Sequence, residues 1–79
     1  MRRRQIVMRS FSDREKQVFE ILLEGHTNHE MASLLGIRDK TVEEHLISIY
    51  RKIGVKTRSQ AILWWVLGIK GFPSLTSRN

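Results

Sequence analysis

The chain has 79 residues, which suffices for one small domain with a thin core, and it contains no cysteine to build a disulfide framework. The net charge of +6 is uneven: positions 1–44 hold eight basic and eight acidic residues, whereas positions 45–79 hold six basic residues and no acid. A basic half predicts a polyanionic partner, either a nucleic acid or an anionic membrane, although a solubilising excess of charge is the plainer alternative.

The first ten residues predict a flexible basic tail, because they include three consecutive arginines and no long apolar run. The first helix is predicted over residues 12–24. Ser12 and Glu15 have the spacing of a capping box, and Phe11 before them is placed to staple the helix entry. Val18 and Leu22 belong to an apolar stripe at helical spacing that predicts the buried side.

The second helix is predicted over residues 28–35, with Thr27 and Glu30 as a second capping box and Gly36 as its end. The third helix is predicted over residues 39–53, with Asp39 as its cap. Its apolar residues are spaced 4, 3 and 4 apart and predict one buried stripe. The members of that stripe are Val42, Leu46, Ile49 and Ile53.

The fourth helix is predicted over residues 58–68, with Thr57 and Gln60 as a third capping box. Glycines and Pro73 follow it, so the domain is predicted to cover residues 11–71 and a C-terminal tail to cover 72–79. No segment alternates with a period of two residues. The sequence therefore predicts an all-α, four-helix fold without a sheet.

Small and apolar residues around Gly36 have the spacing of a helix-turn-helix. Ala32 permits a close approach between helices, Gly36 makes the turn, and Val42 anchors the following helix. Such a motif offers its second helix to the major groove of DNA. An ordinary helical hairpin is the alternative, because any crossed pair of helices can use this spacing.

The outward side of the third helix is therefore the candidate DNA-reading surface. Lys40 and Arg51 suit phosphate or guanine, whereas Glu43 and Glu44 suit the amino group of cytosine. The alternative for the glutamates is a solvated acidic pair near a helix N-terminus, where negative charge is favoured. Ile47 either touches a thymine methyl group or is idle.

The chain resembles the LuxR/GerE-type DNA-binding domain over roughly residues 11–71. The family's opening Leu-Thr and Arg-Glu pairs correspond to residues 11–12 and 14–15. The Ser-Asn-x-Glu-Ile-Ala pattern of its second helix corresponds to residues 27–32, and the Thr-Val-x-x-His of its recognition helix to residues 41–45. Lys-Leu-Gly-Val corresponds to residues 52–55, with Arg58 and Ala61 in the expected places.

The resemblance implies transcriptional control, DNA reading by the third helix, a place for Thr41 in that surface, and dimerisation through the fourth helix. Promoter-reading domains of sigma factors also contain a helix-turn-helix, but they do not usually carry the run from Lys52 to Ala61. Two positions depart from the family. Arg38 replaces a frequent serine cap, and Glu43 replaces a frequent lysine, which changes the expected target sequence.

Phosphate contacts are predicted for a cluster of cations around the end of the third helix and for residues near helix N-termini. The cluster comprises Arg51, Lys52, Lys56 and Arg58, and the other candidates are Thr27, Asn28 and Lys40. Each of these residues taken alone has solvated surface as its alternative. His26 and His29 are three residues apart but lack further ligands, so no metal, cofactor or catalytic residue is predicted.

The fourth helix is apolar nearly all round, and a second apolar face is typical of an interface. Leu63, Trp64 and Leu67 are the candidate dimerisation residues. Packing of Trp64 against the N-terminal tail is the competing interpretation. The segment is too short to span a membrane, which needs about 20 apolar residues.

The sequence thus predicts a cytoplasmic, nucleoid-associated bacterial regulator that binds double-stranded DNA as a homodimer, either free-standing or as the output domain of a longer protein, and that is not an enzyme. RNA polymerase is a candidate further partner. The alternative function is a dimerising module that antagonises a larger regulator without binding DNA. The acidic pair Glu43 and Glu44 favours this alternative. Binding of the fourth helix to an anionic membrane surface is a third hypothesis.

Overall fold

The computed structural model describes residues 7–68. Helix α1 spans Asp13–Leu23, α2 spans Asn28–Leu35, α3 spans Asp39–Ile53 and α4 spans Arg58–Leu67. No strand occurs in this part of the chain, so the predicted all-α, four-helix class is confirmed, with every helix boundary within one residue of its prediction. The predicted tail 72–79, and residues 1–6 of the predicted N-terminal tail, lie outside the described residues.

The capping boxes predicted for α1 and α2 are both complete. Ser12 Oγ accepts from the Glu15 N–H at 3.1 Å, and the Ser12 N–H donates to Glu15 Oε1 at 2.9 Å. Thr27 and Glu30 form the same pair of bonds at 3.1 and 2.9 Å. The Thr27 backbone bond, helped by His26, lowers the pKa of Glu30 below its usual value. The ionised carboxylate therefore stabilises α2 fully when the pH is above the usual pKa of glutamate. This contribution is lost as the pH falls through the lowered pKa.

The caps of α3 and α4 differ from their predictions. Asp39 is the first residue of α3 rather than its cap, because Arg38 supplies the carbonyl that accepts from the Val42 N–H at 3.1 Å. At α4, Thr57 accepts from the Gln60 N–H at 3.2 Å as expected. The Gln60 side chain, however, accepts from the Lys56 N–H at 2.8 Å, so the third capping box is shifted by one residue.

The turn between α2 and α3 consists of residues 36–38. Gly36 adopts φ 67° and ψ 35°, a left-handed conformation that glycine reaches without steric cost. The Ile37 N–H donates to the Ala32 carbonyl at 3.0 Å, and the Gly36 N–H donates to the Ser33 carbonyl at 3.3 Å. These two bonds form a Schellman motif, which ends α2 abruptly and leaves a short turn before α3. The predicted helix-turn-helix is thus present.

The described residues belong to two compact units. The first unit is residues 11–49, in which α1 packs against α2 and the ring of Phe11 meets that of Phe19 edge-on at 5.6 Å. Its buried apolar residues are Phe11, Val18, Phe19, Leu22, Met31, Ala32, Val42, Leu46 and Ile49. The second unit contains residues 7–10 and 50–68, and its buried apolar residues are Val55, Ala61 and Trp64.

Candidate nucleic-acid interface

Helix α3 has one buried and one exposed side, and the division follows the predicted stripe. Val42, Leu46 and Ile49 are buried, whereas Ile53 is half-buried. The opposite side carries the side chains that the sequence assigns to DNA reading. They are Lys40, Glu43, Glu44, Ile47 and Arg51, all of them exposed, with Ile47 54% accessible. We call this surface the reading face. Its central residue, Ile47, exposes a large apolar side chain to solvent.

Three further candidates lie at the N-terminal ends of the helix-turn-helix. The Thr27 hydroxyl is engaged in the cap of α2, and its side chain remains exposed. Asn28 is the first residue of α2, and Thr41 lies half-buried in the first turn of α3. The macrodipole places partial positive charge at helix N-termini, and this charge favours the approach of a phosphate.

The sequence gives no indication of the pairing between His29 and Asp39. His29 Nδ1 lies 3.2 Å from both carboxylate oxygens of Asp39, although the two residues are ten positions apart. The pair joins the first turn of α2 to the first residue of α3. Asp39 therefore connects the two helices of the motif instead of capping the second one.

A buried carboxylate ties the reading helix to α1. Glu15 is only 6% exposed. In addition to its capping bond with Ser12, it accepts a hydrogen bond from Ser48 Oγ to Oε2 at 2.6 Å. Ser48 follows Ile47 directly, so this bond fixes the rotation of α3 one residue from the reading face. Sequence reasoning recognised the capping role of Glu15 but missed this second role, because 33 residues separate the partners.

We expect Ser48→Ala to lower the free energy of unfolding by about 1.5–3 kcal/mol, the usual range for a lost hydrogen bond to a charged group. Denaturant titration of both proteins measures the difference. Ser33→Ala, a change at an exposed serine of α2, is the matched control and should have little effect. Equal stability of the Ser48 and Ser33 variants would show that the Glu15 bond does not hold α3.

The predicted cluster of cations lies in the second unit, where the described residues include no acidic side chain. We call it the basic cluster; its members are Arg51, Lys52, Lys56 and Arg58. Arg51, Lys52 and Lys56 are exposed, and Arg58 is half-buried. Burial raises the pKa of the Tyr50 phenol, and the charge of Arg58 opposes that rise. The side chains of residues 7–10 and 50–68 therefore give this unit a net positive charge.

The ammonium group of Lys52 forms a hydrogen bond within the protein. Its Nζ donates to the backbone carbonyl of Ser10 at 2.8 Å. The bond connects the last turn of α3 to the segment before α1, 42 residues away in the chain. The sequence marks Lys52 only as a cation near a helix end and does not indicate this bond.

The three candidate dimerisation residues of α4 do not share one surface. Leu63 and Leu67 are 47% and 57% exposed, whereas Trp64 is only 3% exposed and belongs to the core of the second unit. Val66, which the sequence pattern does not single out, is 68% exposed. We call the surface formed by Leu63, Val66 and Leu67 the α4 face. A helix that is apolar all round gives no signal in its sequence for which side is covered.

Other classes of site have little support in the part of the chain from 7 to 68. No group of three or more histidine, aspartate or glutamate side chains is placed there to hold a metal ion. His26 lies 3.2 Å from Glu24 and 3.4 Å from Glu30 in exposed pairs. None of the helices in this range combines the length and hydropathy required to cross a bilayer.

Comparison with known proteins identifies the family. Residues 9–65 match the family described as "Bacterial regulatory proteins, luxR family". The chain is 48% identical over 50 residues to the spore germination protein GerE of Bacillus subtilis, a match that covers 63% of this chain and 68% of that protein. No solved structure shows a significant match.

Two other relatives are much longer than the segment they share with this chain. The CsgBAC operon transcriptional regulatory protein of Escherichia coli is 43% identical over 51 residues, covering 65% of this chain and 24% of that protein. The response regulator protein VraR of Staphylococcus aureus is 31% identical over 64 residues, covering 81% and 31%. The residues that match the family, 9–65, contain the helix-turn-helix and its exposed reading face. The chain belongs to the LuxR family of bacterial regulatory proteins, which are DNA-binding transcriptional regulators and not enzymes.

Proposed function

We propose that α3 enters the major groove of double-stranded DNA and that its reading face distinguishes base pairs. The observation that carries this proposal is the exposure of the whole reading face on the second helix of a helix-turn-helix whose opposite side is buried. That arrangement leaves a rigid helix with one side free to fit a groove about 12 Å wide.

The chemistry of the reading face suggests which base edges it contacts. Glu43 and Glu44 can accept hydrogen bonds from the cytosine amino group, and Ile47 can contact the methyl group of thymine. Lys40 and Arg51, near the two ends of the face, suit phosphate oxygens or guanine. The carboxylates do not favour phosphates, so the supporting charge must come mainly from elsewhere.

We assign that charge to the basic cluster, with further backbone contacts at the ends that carry Thr27, Asn28 and Thr41. Phosphate contacts position the protein and contribute equally on every sequence, whereas base contacts select among sequences. Arg51, Lys56 and Arg58 are therefore expected to set the overall affinity. Glu43, Glu44 and Ile47 are expected to set the preference.

Selection of bound sequences from a random duplex pool tests the proposal. The wild-type protein should enrich a defined sequence. Ile47→Ala should relax the preference at one position and retain affinity for unrelated duplexes, because only a base contact is removed. Asp13→Ala, an exposed change in the first turn of α1, is the control and should leave the enriched sequence unchanged. Failure of the wild-type protein to bind any duplex at low salt would instead favour the antagonist module.

We also propose that the α4 face joins two copies of the chain. Leu63, Val66 and Leu67 are spaced 3 and 1 apart and all remain exposed, so they form one apolar stripe on α4. A two-fold axis through such a stripe pairs it with itself. Two reading helices would then meet half-sites about one helical turn, roughly 34 Å, apart.

We expect Leu67→Glu to prevent this pairing, because two like charges would face each other across an apolar contact. Sedimentation should show a dimer for the wild-type protein and a monomer for the variant. Binding to a duplex with two half-sites should weaken, while binding to one half-site should be unchanged. Glu20→Gln, at an exposed position of α1, is the control. A wild-type protein that remains a monomer on a two-half-site duplex would contradict the assignment.

A further inference from the structure

The segment before α1 carries an arginine that neither the motif nor the basic cluster includes. Val7 and Met8 are helical, and residues 9–10 form a turn. Both the backbone N–H and the hydroxyl of Ser10 donate to the Val7 carbonyl, at 2.8 and 2.6 Å. These bonds close residues 7–10 into a compact turn. Arg9 is part of this turn, and its side chain is exposed.

Lys52 attaches this turn to the end of the reading helix. Its Nζ lies 2.8 Å from the Ser10 carbonyl, so the residue after Arg9 is held at the last turn of α3. Arg51, a member of the basic cluster, is the neighbour of Lys52 on that same turn of the helix. Residues 7–10 also belong to the same compact unit as residues 50–68.

The distribution of charge between the units adds a second, independent observation. The first unit holds four basic and eight acidic residues, whereas the described part of the second unit holds five basic residues and no acid. Arg9 is the fifth of these cations. Attraction to phosphates therefore comes mainly from the second unit, because the two cations and two carboxylates of the reading face cancel.

We infer that Arg9 binds a DNA phosphate and that Lys52 positions Arg9 for this contact through the Ser10 carbonyl. The inference rests on the proposed DNA binding. A guanidinium group presents five N–H donors in a planar fork that matches phosphate oxygens, and it remains charged at any physiological pH. Lys52 thus acts on the turn that carries Arg9, while Arg51, Lys56 and Arg58 contact phosphates themselves.

The first test is the salt dependence of duplex binding by Arg9→Ala. Loss of one phosphate contact should reduce the slope of log affinity against log salt by about 0.9, equally on a selected and on an unrelated duplex. Lys16→Ala, which removes an exposed lysine of α1, changes the net charge by the same amount and should leave the slope unaltered. An Arg9→Ala slope equal to that of the wild-type protein would overturn the inference.

The second test combines Arg9→Ala with Lys52→Met, which retains the aliphatic stem and removes the ammonium group. If Lys52 acts through Arg9, Lys52→Met alone should reduce the slope by about as much as Arg9→Ala, and the double variant should show no further reduction. Additive reductions would make Lys52 a separate phosphate contact and would overturn its positioning role. A wild-type protein without any salt-dependent duplex binding would overturn the proposed function itself, a result distinct from either.

Discussion

Replacing Trp64 by alanine should lower the free energy of unfolding by about 3–5 kcal/mol, the range for deleting a buried aromatic side chain. The indole is 3% exposed, and its ring centroid lies 6.4 Å from that of Trp65. Domains of this size have few buried residues to compensate for such a cavity, and total stabilities are only about 5–15 kcal/mol. Denaturant titration measures the loss directly.

Val66→Ala provides the matched comparison on the same helix. Val66 is 68% exposed, so its truncation should change the stability of the monomer by less than about 0.5 kcal/mol. The comparison separates the core of the second unit from the α4 face. If Trp64→Ala were as stable as Val66→Ala and instead abolished dimerisation, Trp64 would belong to the interface, as the sequence alone had suggested.

The double variant Arg51→Ala/Lys56→Ala should weaken duplex binding by about a hundredfold or more at low salt. A hydrogen bond to a charged group contributes about 1.5–3 kcal/mol, and about 1.4 kcal/mol corresponds to a tenfold change in affinity. The slope of log affinity against log salt should fall by about 1.8, because two phosphate contacts are lost. Fluorescence titration of a labelled duplex over a salt series measures both quantities.

A control for this experiment must change the net charge equally at another place. Lys16→Ala/Gln17→Glu does so on the exposed surface of α1. It should alter affinity only through weak long-range attraction, which salt screens over about 10 Å at 0.1 M. Equal losses in the two double variants would mean that total charge, and not the basic cluster, governs binding.

Short-range patterns in the sequence predicted the helices and their boundaries well. The Ser12–Glu15 and Thr27–Glu30 boxes depend on residues three apart, and Gly36 ends α2 by its own conformational freedom. The buried stripe of α3 likewise depends on spacing within one helix. The reading face follows as the opposite side of that stripe, so its exposure was predictable from the sequence.

The contacts that position the candidate site were not predictable, because they join residues distant in the chain. Ser48 forms a hydrogen bond with Glu15, which is 33 positions away, and Lys52 forms one with Ser10, which is 42 positions away. No sequence pattern links the members of either pair. The buried side of α4 was also hidden, since apolar residues surround the whole helix. Even a local rule failed where two donors compete for one acceptor: the Gln60 side-chain oxygen accepts from the Lys56 N–H instead of from the N–H of the cap residue Thr57.

Chemical-shift mapping of the isotope-labelled protein with its selected duplex tests the proposed role of α3 most directly. The largest perturbations of backbone amides should fall on Lys40, Glu43, Glu44, Ile47 and Arg51. The exposed residues Lys16 and Glu20 of α1 should change little. Perturbations concentrated on α1, with the reading face unchanged in the bound state, would contradict the insertion of α3 into the groove.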